Sequence, residues 1–430
     1  MRANDTRYPE GWTARGTLAG PARHGSPHKI AAMKRSPVRS SAQTTDPGLF
    51  TPAFISLLLA VLAYFTAGGM EIPLAPLFAA RMLGADEIGV GIAVGAVALT
   101  ALFLRPIAGR TSDRRGRRLP LIGGALLYAA ATAAHAAAPD LTVMVGLRLV
   151  LWVAEAFFFV AGLAAMADLA PPGRSGEAMS FFSLSLYLGV ALGPLIGQAL
   201  LGLGGFTLAW LGAAALALLA ALLATRMPET REAVVTDDPP VVPLIHRASI
   251  GPGLGLLSGI AAMAGFFAFV ALHAEAIGFV DWSLILLEFG LIVVATRLIF
   301  AKLPDRVAPY RLGSAALALT AAGIAVVALV PDSLGLFVGA GILALGVAFT
   351  TPAFFSAALA RVGPNERGAA MGTMSVSIDL AFGAGPMVFG LVAAAGGIPA
   401  AFLAGAALAM VGAVGTVVAL RRPASAVAPA

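Results

Sequence analysis

Apolar stretches of about 20 residues, each long enough to cross a ~30 Å hydrocarbon core as a helix, recur along this 430-residue chain with short polar breaks between them. Twelve are read, at approximately 52–78, 88–108, 119–138, 141–165, 178–200, 206–225, 252–273, 283–302, 312–330, 334–357, 369–393 and 398–420. A segment crossing lipid must satisfy its own backbone hydrogen bonds, so each is predicted to be helical. The predicted fold class is an all-α membrane protein with twelve transmembrane helices in two six-helix bundles. Composition agrees, since 59% of residues are hydrophobic and only 12% are charged, about half the charge of a soluble protein. A soluble enzyme is excluded. Fifty glycines suit helices that approach closely inside a bilayer.

The long polar interruptions are residues 1–48 and the stretch from Arg226 to Arg247. They divide the chain into a tail (1–48), a first bundle (49–226), a linker (227–250), a second bundle (251–420) and a short tail (421–430). The first tail is rich in Arg, Pro, Ser and Gly and is expected to be disordered. No apolar core of a signal peptide precedes residue 50, and Met33, followed by Lys34 and Arg35, would serve equally as a start. With the N-terminus inside, 26 of the 28 Lys and Arg residues fall on the cytoplasmic side, including the group from Arg297 to Arg311. Arg81 falls outside and Arg148 within a span. Cytoplasmic loops carry such an excess, so both termini are expected in the cytoplasm and the location is the inner membrane. The same topology accounts for the +6 net charge without a nucleic-acid partner.

No cysteine is present and no HExxH motif occurs among the five histidines, so no metal site, cofactor or thiol chemistry is expected.

The chain repeats itself at an offset of 192 residues. Arg105, Asp113 and Arg114 match Arg297, Asp305 and Arg306. Pro172, Gly176, Met179, Ser183, Gly193 and Pro194 match Pro364, Gly368, Met371, Ser375, Gly385 and Pro386. Six spans separate matching positions, so both copies face the same way, as parallel repeats do.

Between the second and third spans lies Gly109-Arg110-Thr111-Ser112-Asp113-Arg114-Arg115-Gly116-Arg117-Arg118, with a worn copy at Ala301 to Arg306. The segment resembles the GxxxDRxGRR/K signature of the major facilitator superfamily. The resemblance covers all twelve spans, the repeat and the linker. It implies a cytoplasmic latch between the bundles, at Gly109, Asp113, Arg114, Gly116 and Arg117, broken and remade during transport. Topological anchoring alone would also account for the arginines. In the fifth span Gly189, Gly193, Pro194 and Gly197 resemble the GxxxGPxxGG signature of proton-driven exporters in that superfamily, with Gln198 in place of the last glycine. Close helix packing is an equal reading.

Charges inside the spans are Glu71, Arg148, Glu155, Glu288 and Asp379. Each costs about 2.5–3.5 kcal/mol at the bilayer centre and needs a partner, a cavity or a proton. Arg148 and Glu155, seven residues apart, share one helix face about 10 Å apart along the axis. Glu71 and Arg148 are read as a gating or substrate pair, with Glu288 a further candidate. Glu155 and Asp379, near the midplane, are the candidate proton carriers, the alternative being buried groups hydrogen-bonded for structure. Candidate cavity groups are Thr66, Trp152, Tyr187, Ser258, Phe266, Phe267 and Thr350, with Thr351 and Ser356. His135 and His273 are expected at solvated helix ends.

Together these features imply a secondary transporter rather than an enzyme. Its expected partners are a small-molecule substrate, protons and the lipid bilayer, and it is expected to be a monomer. Proton-coupled efflux of small organic molecules by alternating access is the first reading. An uptake symporter is the alternative, and a non-transporting receptor or scaffold a minor one.

Overall fold

The first helix begins at Pro52 because Thr51 caps it, its hydroxyl accepting the Phe54 N–H at 3.2 Å, which satisfies one of the amides a helix start leaves unpaired. The computed structural model describes residues 48–95, 98–171, 174–230, 246–360, 362–363 and 366–421. The first tail through residue 47 and linker residues 231–245 lie outside the described residues. Pro47–Ala430 is one compact unit, and its described residues are helical throughout apart from caps, turns and loops. In the first half the helices are α1 (Pro52–Arg81), α2 (Glu87–Gly95), α3 (Ala98–Arg115), α4 (Arg118–His135), α5 (Leu141–Leu169) and α6 (Ser175–Thr225). In the second they are α7 (Arg247–Ala276), α8 (Trp282–Ile299), the short α9 (Leu303–Arg306), α10 (Pro309–Leu329), α11 (Ser333–Leu359) and α12 (Arg367–Arg421).

Eight of these are long and apolar enough to cross a membrane. Two of the eight double back. Along α6 the close approaches to α1 climb from Gly189 against Leu62 and Thr66, through Gly193 against Gly69, to Gly197 against Met70. They then descend again, with Phe206 and Trp210 against Phe78 and the Ser56 hydroxyl donating to the Leu223 carbonyl at 2.8 Å. The reversal falls at Gly204 and Gly205, the latter at φ 69°, a left-handed conformation that glycine adopts without steric penalty. Helix α12 does the same along α7. Gly385 meets Ala261, Gly405 meets Phe389, and Gly412 returns to Ser258, with the reversal at Gly397 (φ 83°). The eight apolar helices therefore trace ten passes.

The 192-residue repeat is visible in local chemistry as well as in sequence. Asp140 caps α5 by accepting the Val143 N–H at 2.9 Å, and Asp332, 192 residues on, caps α11 by accepting the Gly335 N–H at 2.7 Å. Gly193 sits against the Gly69–Met70 backbone, and its repeat mate Gly385 sits against Ala261, the repeat mate of Gly69. Between the halves, Gly91 of α2 lies against Pro386 and Gly390 of α12, and Gly290 of α8 lies against Ala191 of α6. Small residues at these crossings let backbones touch, which is how helices associate where no water drives them together. Apolar side chains such as Leu211, Leu218, Leu222, Leu403, Val411 and Val414 point outward on the returning arms of α6 and α12. A contiguous exposed surface of that kind suits hydrocarbon and not water.

Two expectations are corrected here. His135 and His273, placed by sequence at solvated helix ends, are buried, at 0% and 3% exposure. His135 lies 4.7 Å from the Trp210 ring with Nδ1 on the Ala131 carbonyl, and His273 meets Phe402 edge to face. The returning arms of α6 and α12 cover them, an arrangement that helix position alone does not reveal.

Candidate functional site

A cavity of about 420 Å³ lies between the halves, within the size range of small-molecule sites. Its walls follow the repeat. Glu71 and Met263, Ile72 and Ala264, Val94 and Leu286, Glu155 and Val347 all line it, and each pair is separated by 192 residues. So do Gly68 and Ile260, Leu186 and Ile378, Tyr187 and Asp379, Val190 and Phe382, and Pro194 and Pro386. Equivalent helices therefore present equivalent faces, and the difference between the halves is chemical. The first half supplies Glu71, Arg148 and Glu155 where the second supplies Met263, Ala340 and Val347.

The charged wall of the first half is built by α1, α4 and α5. One oxygen of Glu71 accepts the Thr132 hydroxyl at 2.8 Å, and the other stands 3.7 Å from Arg148 Nη1. The Tyr128 hydroxyl also hydrogen-bonds to this carboxylate. Tyr64 stacks flat on Phe158 with centroids 3.8 Å apart and leans on Tyr128 at 4.6 Å. Removing one member of a buried pair strands the other charge, at a cost of about 3–5 kcal/mol. Glu71→Gln keeps the Thr132 contact and loses the charge, so it is expected to lower unfolding stability by that amount. Glu71→Gln combined with Arg148→Met should recover most of the loss. Equal stability of the single variant and the parent would show that the pair contributes nothing.

Glu155, Asp379, Trp152, Tyr187, Phe267 and Thr351 line the cavity. Arg148 and Glu155 both reach it, as their shared helix face requires. The other sequence candidates do not line it. Thr66, Ser258 and Thr350 are buried, and their hydroxyls donate to their own helices, at Leu62, Gly255 and Gly346. Phe266, one residue before a lining position, is fully buried behind the wall in a cluster with Phe289 and Phe402. Ser356 is also outside the lining set. Glu288 faces α11 at Gly341, away from the cavity. In each case helical phase decides, because neighbouring positions on a helix diverge by about 100°.

Arg297 is the residue that sequence reading missed. Counted among the cytoplasmic charges although the predicted span 283–302 contains it, Arg297 lies within α8 and lines the cavity, with its guanidinium 4.1 Å from the centre of the Tyr187 ring. The signal was present. Leu286, Phe289, Gly290, Val293 and Arg297 form a stripe at helical spacing, and all five line the cavity.

The motif residues occupy both ends of the bundle. Gly189, Gly193 and Gly197 pack against α1, while Pro194 lines the cavity. Gln198, the departure from the glycine-rich pattern, ties the halves together at the end where α1 finishes. It donates to the Val280 carbonyl at 2.9 Å and accepts the Ser283 N–H at 3.0 Å. An Arg81–Glu275 ion pair closes the same end. At the opposite end Gly116 has φ 92°, and a side chain there would strike the Glu229 carboxylate, which accepts the Arg117 N–H at 2.7 Å. Arg117 Nε lies 3.3 Å from Asp168. These contacts tie the Gly116 turn to α5 and to the chain leaving α6. The side chain of Asp113 lies outside the described residues, Gly109 borders open space, and the exposed Arg114 has a partner of its own. Among the described residues no three His, Asp or Glu side chains gather as a metal site.

A family model described as Major Facilitator Superfamily matches residues 57–333. A Salmonella typhimurium protein called an uncharacterized MFS-type transporter is 28% identical over 370 residues, covering 82% of this chain and 92% of that one. A Burkholderia pseudomallei protein with the same description is 29% identical over 369 residues, covering 82% and 88%. Among solved structures, a bacterial homologue of the human lysosomal transporter Spinster, inward-facing and occupied, superposes with a TM-score of 0.72. At 16% identity over 86% of this chain and 98% of that one, the likeness is one of fold.

Proposed function

Because the chain belongs to the Major Facilitator Superfamily, we propose that it is a proton-coupled exporter of small organic molecules in the bacterial inner membrane. Members of this family are multi-pass secondary transporters that work by alternating access, not enzymes. The observation that carries the finer reading is a cavity between the repeats that receives a carboxyl from each half, Glu155 and Asp379. Carboxyls held away from bulk water can cycle between charged and protonated forms as the halves rock. Export as the direction is supported by the fifth-span motif. Its glycine packs on α1 while its proline faces the cavity, and Gly385 and Pro386 repeat the arrangement on α7. A proline frees a backbone carbonyl and permits bending, so rocking at these two places would reshape the cavity wall.

Uptake by symport is the second reading, and Arg297 favours it. An anionic solute held by a cation in a cavity that also contains carboxyls would load together with a proton. Proteoliposomes with an imposed pH gradient separate the two. Offered a panel of small acids, amines and neutral aromatics, an antiporter concentrates its substrate on the acidic side and a symporter on the alkaline side. Gradient-independent equilibration of every transported solute would remove proton coupling.

Orientation follows from the Lys and Arg asymmetry, with the Gln198 end outside and the Gly116 end in the cytoplasm. Reporter fusions after residues 84, 140, 204, 279 and 332 are expected to report an external location, and fusions after 115, 174, 238, 308 and 364 an internal one. An external signal at 238 would overturn the arrangement. The Gly109–Arg118 segment, which ends α3 and turns into α4, is then at the cytoplasmic face as the proposed latch, and the far-end contacts of Gln198 and Arg81 are those that must part when the cavity opens outward.

A further inference from the structure

We propose that the cavity takes small amphipathic organic anions, with the Arg297 guanidinium anchoring the anionic group. The inference rests on the cavity being the transport site and is independent of transport direction.

Five charged side chains line the cavity: Glu71, Arg148, Glu155, Arg297 and Asp379. Glu71 and Arg148 compensate each other, and Glu155 and Asp379 have partners of their own. Arg297 differs. Among the described residues no carboxylate lies within 4.0 Å of it, whereas Arg148 has Glu71; its Nε, like Nε and Nη1 of Arg148, is sealed from solvent without a hydrogen-bond acceptor. Its recorded contact is the face of the Tyr187 ring. A ring face holds a guanidinium in place without consuming its N–H donors. The planar fork of donors stays available for a carboxylate or sulfonate, which it matches in a bidentate geometry.

A partly buried charge in an apolar cavity is costly without a counter-ion, and here the bound solute would provide it. The remaining surroundings set the rest of the ligand. Trp152, Phe267, Leu286 and Phe289 make the walls apolar or aromatic, so the body of the solute should be so too. Asp379, the repeat mate of Tyr187, lies on the wall of the other half. A second anionic group would meet its carboxyl, so monoanions are preferred over dianions.

Three probes of similar size and different charge test this on the purified full-length chain in lipid nanodiscs: 2-naphthoate, 2-naphthalenemethanol and 2-naphthylmethylammonium. By calorimetry, naphthoate is expected to bind at least ~10-fold more tightly than the other two, in keeping with a charge-assisted hydrogen bond against a neutral contact. Arg297→Gln should erase that preference while the protein unfolds at the parent temperature. Arg297→Lys, which keeps the charge and loses the fork, should keep part of it. Tyr187→Leu, which removes the platform alone, should weaken naphthoate several-fold and serves if the arginine variants do not fold. Tighter binding of the amine or alcohol, or unchanged naphthoate affinity in Arg297→Gln, would overturn the anion assignment and leave the cavity as a site for other solutes. Absence of binding by all three probes would overturn both the assignment and the cavity's role as a small-molecule site.

Discussion

Proteoliposomes carrying Glu155→Gln or Asp379→Asn are expected to lose gradient-driven accumulation of substrate while still exchanging it downhill. Both carboxyls line the central cavity, one from each half. Converting either to its amide keeps its volume and most of its hydrogen bonding but removes the group that could take up and release a proton. The stake can be stated. One charge moving through ~100 mV supplies about 2.3 kcal/mol, enough for roughly a fifty-fold gradient. The parent should approach accumulation of that order and the coupling variant should fall to none. Retained binding, read by calorimetry, separates lost coupling from lost folding. If both variants concentrate substrate as the parent does, neither carboxyl is the coupling site, and Glu71, paired with Arg148 at the same cavity, is the next to test.

The second large effect is steric. A single methyl added at Gly193 would lie 2.5 Å from the backbone of Gly69 and Met70 and from the Thr66 carbonyl oxygen. None of these is the end of a flexible side chain that could swing aside. Overpacking commonly costs about 1–3 kcal/mol, and where the neighbour is backbone the two helices must separate along their length. Gly193→Ala is therefore expected to lower thermal stability and yield in the membrane, and Gly385→Ala, 2.7 Å from the Ala261 carbonyl oxygen, to do the same in the second half. Gly123→Ala is the contrast. Nothing lies within 4 Å of that position, and replacing an exposed helical glycine by alanine should gain up to about 1 kcal/mol. A Gly193→Ala protein as stable as the parent would show that α1 and α6 do not touch there.

These two predictions draw on different depths of information. That Gly193 packs against a helix, and that Glu155 and Asp379 sit in apolar spans, could be read from spacing alone. Which neighbour each one meets could not. The repeat offers a partial bridge. Once the offset of 192 is known, the position of Tyr187 on the cavity implies that of Asp379, and the Asp140 cap implies the Asp332 cap. Gln198 shows where the bridge ends. As a sequence it is a flaw in a glycine pattern, and only the fold reveals it as a clasp between the two halves, on Val280 and Ser283.

The amino-acid sequence by itself determined the solvent, the succession of apolar runs, the duplication, and the short list of charges that a bilayer tolerates only for a reason. Those properties depend on local composition and on the ~20-residue length that hydrocarbon demands. The tertiary structure alone decided which face of each helix points inward. In a water-soluble helix the polar stripe reveals the outer face. Here lipid and core are both apolar, so Phe266 and Phe267 look alike in sequence although one is packed in the core and the other lines the cavity. For the same reason Arg297 was counted with the cytoplasmic charges and not with the cavity, and His135 was expected in water until the returning arm of α6 was seen to bring Trp210 against it. Long-range packing supplies the orientation that a uniformly apolar pattern does not carry.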